Sequence, residues 1–356
     1  MPLKEFVQRF PGIDEFVREL NDFHRTIAPG PLCSHRALVA YSTDHTVKWR
    51  LNPSIREELA IRCSIAAFNM QELARSRLKR RPKVFRRANR FDVMFDGDVS
   101  INFVNGTVVV LGRTTVRKFF FKDVDFFVSL YGDIAKYAGV DKSISGGIFS
   151  IKQQRYQPIG RNVPGATLWR GLRTQLDSYH GLADVEFSNG TRFSPRQKLL
   201  QLAKFHELEG HRGLEGYLSV VEQLAARVER SRLALCHGDL WRENIVADAR
   251  GRPVAIDFDK TVRFCAGYDG VYFCLMDCMA SKRLRIEDLV EALPSLSVRE
   301  LSLSIMDNAD LLSGVDDQEM RLCALFFATL KLAEQDFHRR EMGSSVSILN
   351  EGLKSL

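Results

Sequence analysis

CHGDLWRENIVADARGRPVAIDFD, residues 236–259, is the stretch on which the reading of this chain turns. It places Asp239 five positions before Asn244, and Asn244 thirteen before Asp257. Three oxygen-bearing side chains at that spacing suit metal-assisted phosphoryl transfer from ATP. One carboxylate accepts or orients the proton of an attacking hydroxyl, while an amide and a second carboxylate hold the magnesium that neutralises the triphosphate. Asp239 is assigned the first task, Asn244 and Asp257 the second. The apolar runs between them agree. Residues 233–236 predict a short buried strand leading into His237, and residues 245–247 and 254–256 predict two more, joined by a turn at 248–251. Such a hairpin carries Asn244 and Asp257 at its open end. One Asp or Asn beside a strand is ordinarily a turn-former; three in this order, with the apolar runs between them, argue for a site.

The same residues resemble the catalytic and metal loops of aminoglycoside phosphotransferases, choline kinases and related small-molecule kinases, with lipopolysaccharide core kinases as a related alternative. The resemblance implies an α+β, two-lobed protein-kinase-like fold with a small antiparallel-sheet N-lobe and a mainly helical C-lobe. It also implies ATP and Mg2+ as cofactors, Asp239 as the catalytic aspartate, Asn244 and Asp257 as metal ligands, and His237 as a structural support. Gly238 stands where protein kinases carry an arginine coupled to a phosphorylated activation loop. Asp257-Phe258 is followed by Asp259, not glycine, and Gly267-Tyr268-Asp269 follows within ten residues, leaving little room for an activation segment. Both departures favour a small-molecule acceptor over a protein. Tyr268-Asp269 and Tyr272 are similar to the family's segment after the metal loop, with Asp269 expected to anchor the catalytic loop. His206, in an apolar-His pair closing a helix upstream, reads as structural.

Upstream, turn dipeptides at 96–97, 105–106 and 112–113 punctuate apolar runs between residues 91 and 121, which predicts an antiparallel meander. Its last strand carries Lys118, the candidate for binding ATP phosphates, with Arg117 on the opposite face. The following helix, about 125–137, offers Asp133 or Asp125 as its acidic partner, where the family uses glutamate. Val47-Lys48-Trp49-Arg50, followed by Glu57 and Glu58, is the rival, with Lys48 as the phosphate-binding lysine; the denser strand and turn pattern favours Lys118. Backbone amides at 157–160, including Gln157 and Ile159, are expected to read the adenine. The expected domains are a helical extension at 1–90, an N-lobe at 91–160 and a C-lobe at 161–356. In the extension, aromatic residues from Phe6 to Phe23 recur at helical spacing, and Ser54 with Glu57 forms a capping box for a second helix running through Ala74.

The chain has 356 residues, 45% hydrophobic and 27% charged, the composition of an ordinary globular protein. It has no apolar stretch approaching the roughly 20 residues of a membrane span, and its start lacks the apolar core of a secretory signal, so a cytoplasmic location is expected. The seven cysteines suggest no disulfide framework, and Cys274 and Cys278 read as packing residues on a helix. Nine basic residues and no acidic one lie between Arg75 and Arg90; without them the net charge of +7 would be −2. This segment is either a solvated linker or a platform for phosphate groups or an anionic membrane surface. Nucleic acid is disfavoured because only Phe85 could stack. The expected partner is therefore a small-molecule or glycan acceptor. An atypical protein kinase and a pseudokinase-like binding module are the alternatives.

Overall fold

The computed structural model describes residues 35–42, 46–51, 54–79, 86–93, 98–102, 107–120, 124–145, 148–160, 163–181, 193–205, 208, 210–228, 233–280, 284–297, 312, 314–339, 341 and 343–356. The chain divides into two units, Met1–Arg155 and Tyr156–Leu356. Among the described residues the first unit holds one antiparallel sheet. Its strands are β1 (His35–Ser42), β2 (Thr46–Leu51), β3 (Arg86–Val93), β4 (Asp98–Asn102), β5 (Thr107–Leu111), β6 (Thr115–Phe120), β7 (Val140–Ser145) and β8 (Ile148–Gln154). They lie in the order β3-β1-β2-β4-β5-β6-β8-β7. Successive pairing of β4, β5 and β6 makes a meander.

Two expectations need correction. Residues 35–42 and 46–51 are strands, not part of a helical extension. The sequence Val47-Lys48-Trp49-Arg50-Leu51 alternates apolar and charged residues with the period of a strand. The helical reading leaned on the spacing of residues 6–23, which lie outside the described residues. Secondly, the run beginning at Phe91 is not the first arm of the meander. Strand β3 pairs with β1, Phe91 opposite Ala37, because β2 already occupies the edge of β4, Trp49 opposite Val99.

Helix α1 (Ile55–Lys79) starts at the expected capping box. The Glu57 N–H donates to Ser54 Oγ at 3.3 Å, and the Ser54 N–H donates back to Glu57 Oε2 at 2.9 Å. The helix runs past Ala74, so the basic segment is split: Arg75, Arg77 and Lys79 lie in α1, and Arg86, Arg87 and Arg90 in β3. Arg80, Arg81 and Lys83 are outside the described residues. Helix α2 (Val124–Ala138) packs on β7 and β8. Phe120, Phe127, Leu130, Tyr131, Ile134 and Phe149 are all buried there, with Phe120 stacked on Phe127 at 4.1 Å between centroids.

In the second unit, helices α3 (Gly165–His180), α4 (Pro195–Phe205), α5 (Leu214–Arg227), α6 (Tyr268–Ala280), α7 (Ile286–Ala292), α8 (Asp317–Arg339) and α9 (Val346–Lys354) surround an apolar core. Helix α8 is central and touches α4, α5, α6, α7 and α9. Its run Cys323-Ala324-Leu325-Phe326-Phe327-Ala328 is fully buried, as expected of the most apolar C-terminal segment. Cys274 and Cys278 are buried too. No helix among the described residues is long and apolar enough to cross a membrane.

Candidate active site

Apolar strand β10 (Leu233–Cys236) pairs antiparallel with β13 (Val262–Cys265) and delivers the motif into the core. The chain then turns sharply. Gly238 has φ +75°, and a Cβ at that position would lie 2.0 Å from the Lys260 carbonyl oxygen, so only glycine fits. Asp269, in the first turn of α6 and fully buried, fixes the turn. Its two oxygens accept the backbone N–H groups of His237 and Gly238, at 2.8 and 3.0 Å, and Oδ2 also lies 3.2 Å from His180 Nε2. Burial alone would raise the Asp269 carboxyl, but His180, His237 and these hydrogen bonds outweigh it and hold the group below its usual range.

The His237 ring ties the catalytic loop to the metal hairpin. Nε2 lies 2.8 Å from the Ile256 carbonyl and Nδ1 is 3.3 Å from the Asp239 N–H. A carbonyl can only accept, so these partners assign the proton to Nε2. The ring also packs on Phe258, 4.5 Å between centroids.

Asp239 emerges beyond this turn with its side chain 13% exposed. Tyr272, one helical turn after Asp269, donates its hydroxyl to Oδ1 at 2.5 Å, and Lys260 Nζ lies 3.0 Å from Oδ2. Burial would raise the carboxyl; Lys260, Tyr272 and the charge of Lys331 on α8 together bring it below the usual value. Burial and the adjacent carboxylate push the Tyr272 hydroxyl well up, so it stays a donor. Burial would lower the Lys260 ammonium, but Asp239 overcomes that and raises it. Asp239 is thus a carboxylate gripped by a hydroxyl and an ammonium.

Asn244 closes a 3-10 turn, Arg242–Asn244, and its Nδ2 donates to the Asp239 carbonyl at 2.8 Å, leaving Oδ1 as the acceptor. Arg242 pins the same turn to α6 through Asp277, 2.5 Å from its Nε. Strands β11 (Ile245–Ala247) and β12 (Pro253–Ala255) form a hairpin closed at Asp248 and Gly251. The Ile256 N–H donates to the Asn244 carbonyl at 2.9 Å, which brings Asn244 and Asp257 to the same end. Asp257 is exposed and holds a left-handed conformation, φ 67° and ψ 58°. It is the one non-glycine with positive φ among the described residues, a backbone state retained at sites where side-chain direction matters. Two hard oxygen donors on the side of the site that faces Asp239 are a donor set that suits Mg2+.

The structure brings together His237, Asp239, Asn244, Asp257 and Asp269. Gln157 lies in β9 (Gln157–Pro158), which pairs with β11 of the same hairpin, and Ile159 follows it. Lys118 and Lys48 both lie in the sheet of the first unit; Lys118 Nζ sits 5.4 Å from the Phe120 ring centroid. His206 is outside the described residues. The side chains of Lys260, Lys331 and His180 were not singled out from sequence, and Tyr272 was named only within the segment after the metal loop. Tyr272 could have been found from its i, i+3 relation to Asp269 on one helix face. Lys260 gave no such signal, since it reaches Asp239 only through a tertiary turn. His180, Cys236 and Asp269 form a tight group with metal-like chemistry. It reads as a hydrogen-bonded cluster, because Asp269 is already engaged and burial pushes the Cys236 thiol well up.

Residues 168–297 match the model of the phosphotransferase enzyme family. That stretch of the second unit is thus similar to the family that the His237–Asp257 motif resembles. The matched residues include Asp239, Asn244, Asp257 and Asp269. No curated protein matches the chain. Solved structures similar to it include choline kinase LicA from Streptococcus pneumoniae, 14% identical over 70% of this chain and 90% of that one, TM-score 0.42. Another is amicoumacin kinase hAmiN in complex with AMP-PNP, Ca2+ and Ami, 14% identical over 70% and 84%, TM-score 0.43. A thermostable mutant of aminoglycoside phosphotransferase APH(4)-Ia is 12% identical over 70% and 90%, TM-score 0.38. At such identity and superposition the likeness bears on neither substrate nor mechanism.

Proposed function

We propose that this protein transfers the γ-phosphate of ATP to a hydroxyl of a small-molecule or glycan acceptor, with Asp239 as the catalytic carboxylate. The observation that carries the reading is the state of Asp239. A largely buried carboxylate, fixed by Tyr272 and Lys260 and held below its usual pKa, is suited to take a hydrogen bond from an alcohol and align it for in-line attack. Asn244 Oδ1 and the Asp257 carboxylate would hold Mg2+, which supplies charge neutralisation to the triphosphate. Tyr272 and Lys260 restrict Asp239 so that its orientation is set before the acceptor arrives. As the hydroxyl proton moves towards the carboxylate, Lys260 keeps a positive charge beside the oxygens involved. Lys118 is proposed as a further ligand of the ATP phosphates, and the backbone around Gln157 and Ile159 as the adenine contact.

Equilibrium binding of AMP-PNP with and without Mg2+ tests the donor half. The wild type is expected to bind at least tenfold more tightly with the metal, and Asp257→Ala to lose that enhancement while keeping its fold. Nucleotide binding that ignores Mg2+ in both proteins would refute the metal assignment.

A further inference from the structure

Helix α3 passes close to the hairpin that carries the candidate metal ligands. A Cβ on Gly171 would lie 2.6 Å from Cγ of Pro253, so the helix backbone meets β12 with no room for a side chain. Gln175 and Tyr179 follow at intervals of four and share that face of the helix.

The first contact falls two residues before Asp257. Strand β12 is the outer strand of its sheet, ordered β12-β11-β9, and Ala255 is fully buried there. Gln175 acts as the missing neighbour strand. The Ala255 N–H donates to Gln175 Oε1 at 2.9 Å, and Gln175 Nε2 donates to the Ala255 carbonyl at 3.3 Å. A side-chain amide supplies donor and acceptor together, so neither buried backbone group is left unpaired. Ala255 stands opposite Ile245, the residue after Asn244, so the same clamp bears on both candidate ligands.

The second contact falls after Asp257. Thr261, 2% exposed, donates its hydroxyl to the Phe258 carbonyl at 2.7 Å. Its one proton is thereby used, so the buried Tyr179 hydroxyl, 2.6 Å away, donates to Thr261 Oγ1. The Tyr179 ring packs on Phe258, 5.0 Å between centroids. Asp257 sits between these two anchors at φ 67°. A non-glycine residue keeps that conformation only where its surroundings impose it.

We propose that Gln175, Tyr179 and Thr261 are positioning residues for Mg2+: they clamp the backbone on both sides of Asp257 and so aim its carboxylate at the metal shared with Asn244. This rests on the metal assignment made for the same site. Residues that orient a ligand in this way set metal affinity without touching the ion.

The test is isothermal titration of the full chain with AMP-PNP, without metal and across a Mg2+ series, with chemical denaturation of each variant alongside. Gln175→Met and Thr261→Val remove the hydrogen bonds at nearly constant volume, and Tyr179→Phe keeps the ring on Phe258. In all three the Mg2+ concentration that gives half of the affinity gain should rise by roughly tenfold or more, while metal-free affinity stays at the wild-type value. Thr261→Ser, which retains the hydroxyl, should behave as the wild type. Gln175 and Thr261 act on opposite sides of Asp257, so a folding failure in one variant leaves the other to decide. An unchanged Mg2+ requirement in the folded variants would overturn the proposal. So would an equal fall in metal-free affinity, which marks a general structural role, or a Thr261→Ser protein as impaired as Thr261→Val. A wild type whose nucleotide binding ignores Mg2+ would sink the metal assignment itself; a wild-type gain retained by every variant would sink only this inference.

Discussion

Lys260 Nζ lies 3.0 Å from Oδ2 of Asp239, so the loop that carries Asp257, the proposed metal ligand, also grips the carboxylate proposed to meet the acceptor. The two halves of the proposed reaction are thereby linked through one ion pair. Replacing Lys260 with Met removes the largest influence that lowers the Asp239 carboxyl and leaves burial to raise it. Turnover should fall by roughly a hundredfold, the scale of losing one preorganised electrostatic contact. Activity requires the carboxylate, so it is lost as pH falls through the Asp239 pKa. The acid limb of the kcat profile should accordingly move to higher pH in Lys260→Met. An unshifted limb would mean that Lys260 has only a structural role.

Tyr272→Phe deletes the hydroxyl that donates to Asp239 Oδ1 and keeps the ring. A hydrogen bond to a charged group contributes about 1.5 kcal/mol or more, so kcat should drop roughly tenfold. The acid limb should again move up. Thermal stability should change little, because the ring still packs edge-on against Phe327.

Much of this site was legible because its key residues are close in sequence. Asp239, Asn244 and Asp257 are separated by short apolar runs that become β11 and β12, so period and turn chemistry were enough to place them. Tyr272 reaches Asp239 from helix α6 and Lys260 from the turn after Asp257, and no local pattern encodes that convergence. The first sheet was half legible for the same reason. The neighbours β4, β5 and β6 follow one another in the chain, whereas β3 finds β1 across an intervening helix.

Asp269→Asn tests the anchor of the catalytic loop. The carboxylate accepts two backbone N–H groups as well as facing His180, whereas an amide would turn its own NH2 towards a donor. A loss of about 3 kcal/mol is expected on chemical denaturation, the scale of breaking a buried charged network. The Asp269 carboxyl is depressed below its ordinary 3.8 in the folded state, so its stabilisation is complete above that value. It is lost as pH falls through the lower folded-state pKa. Wild type should show this acid-dependent component and Asp269→Asn should not.

Gly238→Ala places a Cβ against the Lys260 carbonyl and strains a positive φ. Destabilisation of about 2 kcal/mol or more is expected, with loss of activity because Asp239 is displaced. A fully active, equally stable variant would show that the turn at 237–239 differs from the one described.

The central claim is that Asp239 carries out phosphoryl transfer. The most direct measurement is release or transfer of the ATP γ-phosphate by wild type and Asp239→Asn at saturating Mg2+, with nucleotide affinity determined on the same samples. The account predicts a fall of about a hundredfold or more in turnover at unchanged nucleotide affinity. Equal turnover by the two proteins, or no turnover by the wild type, would contradict it.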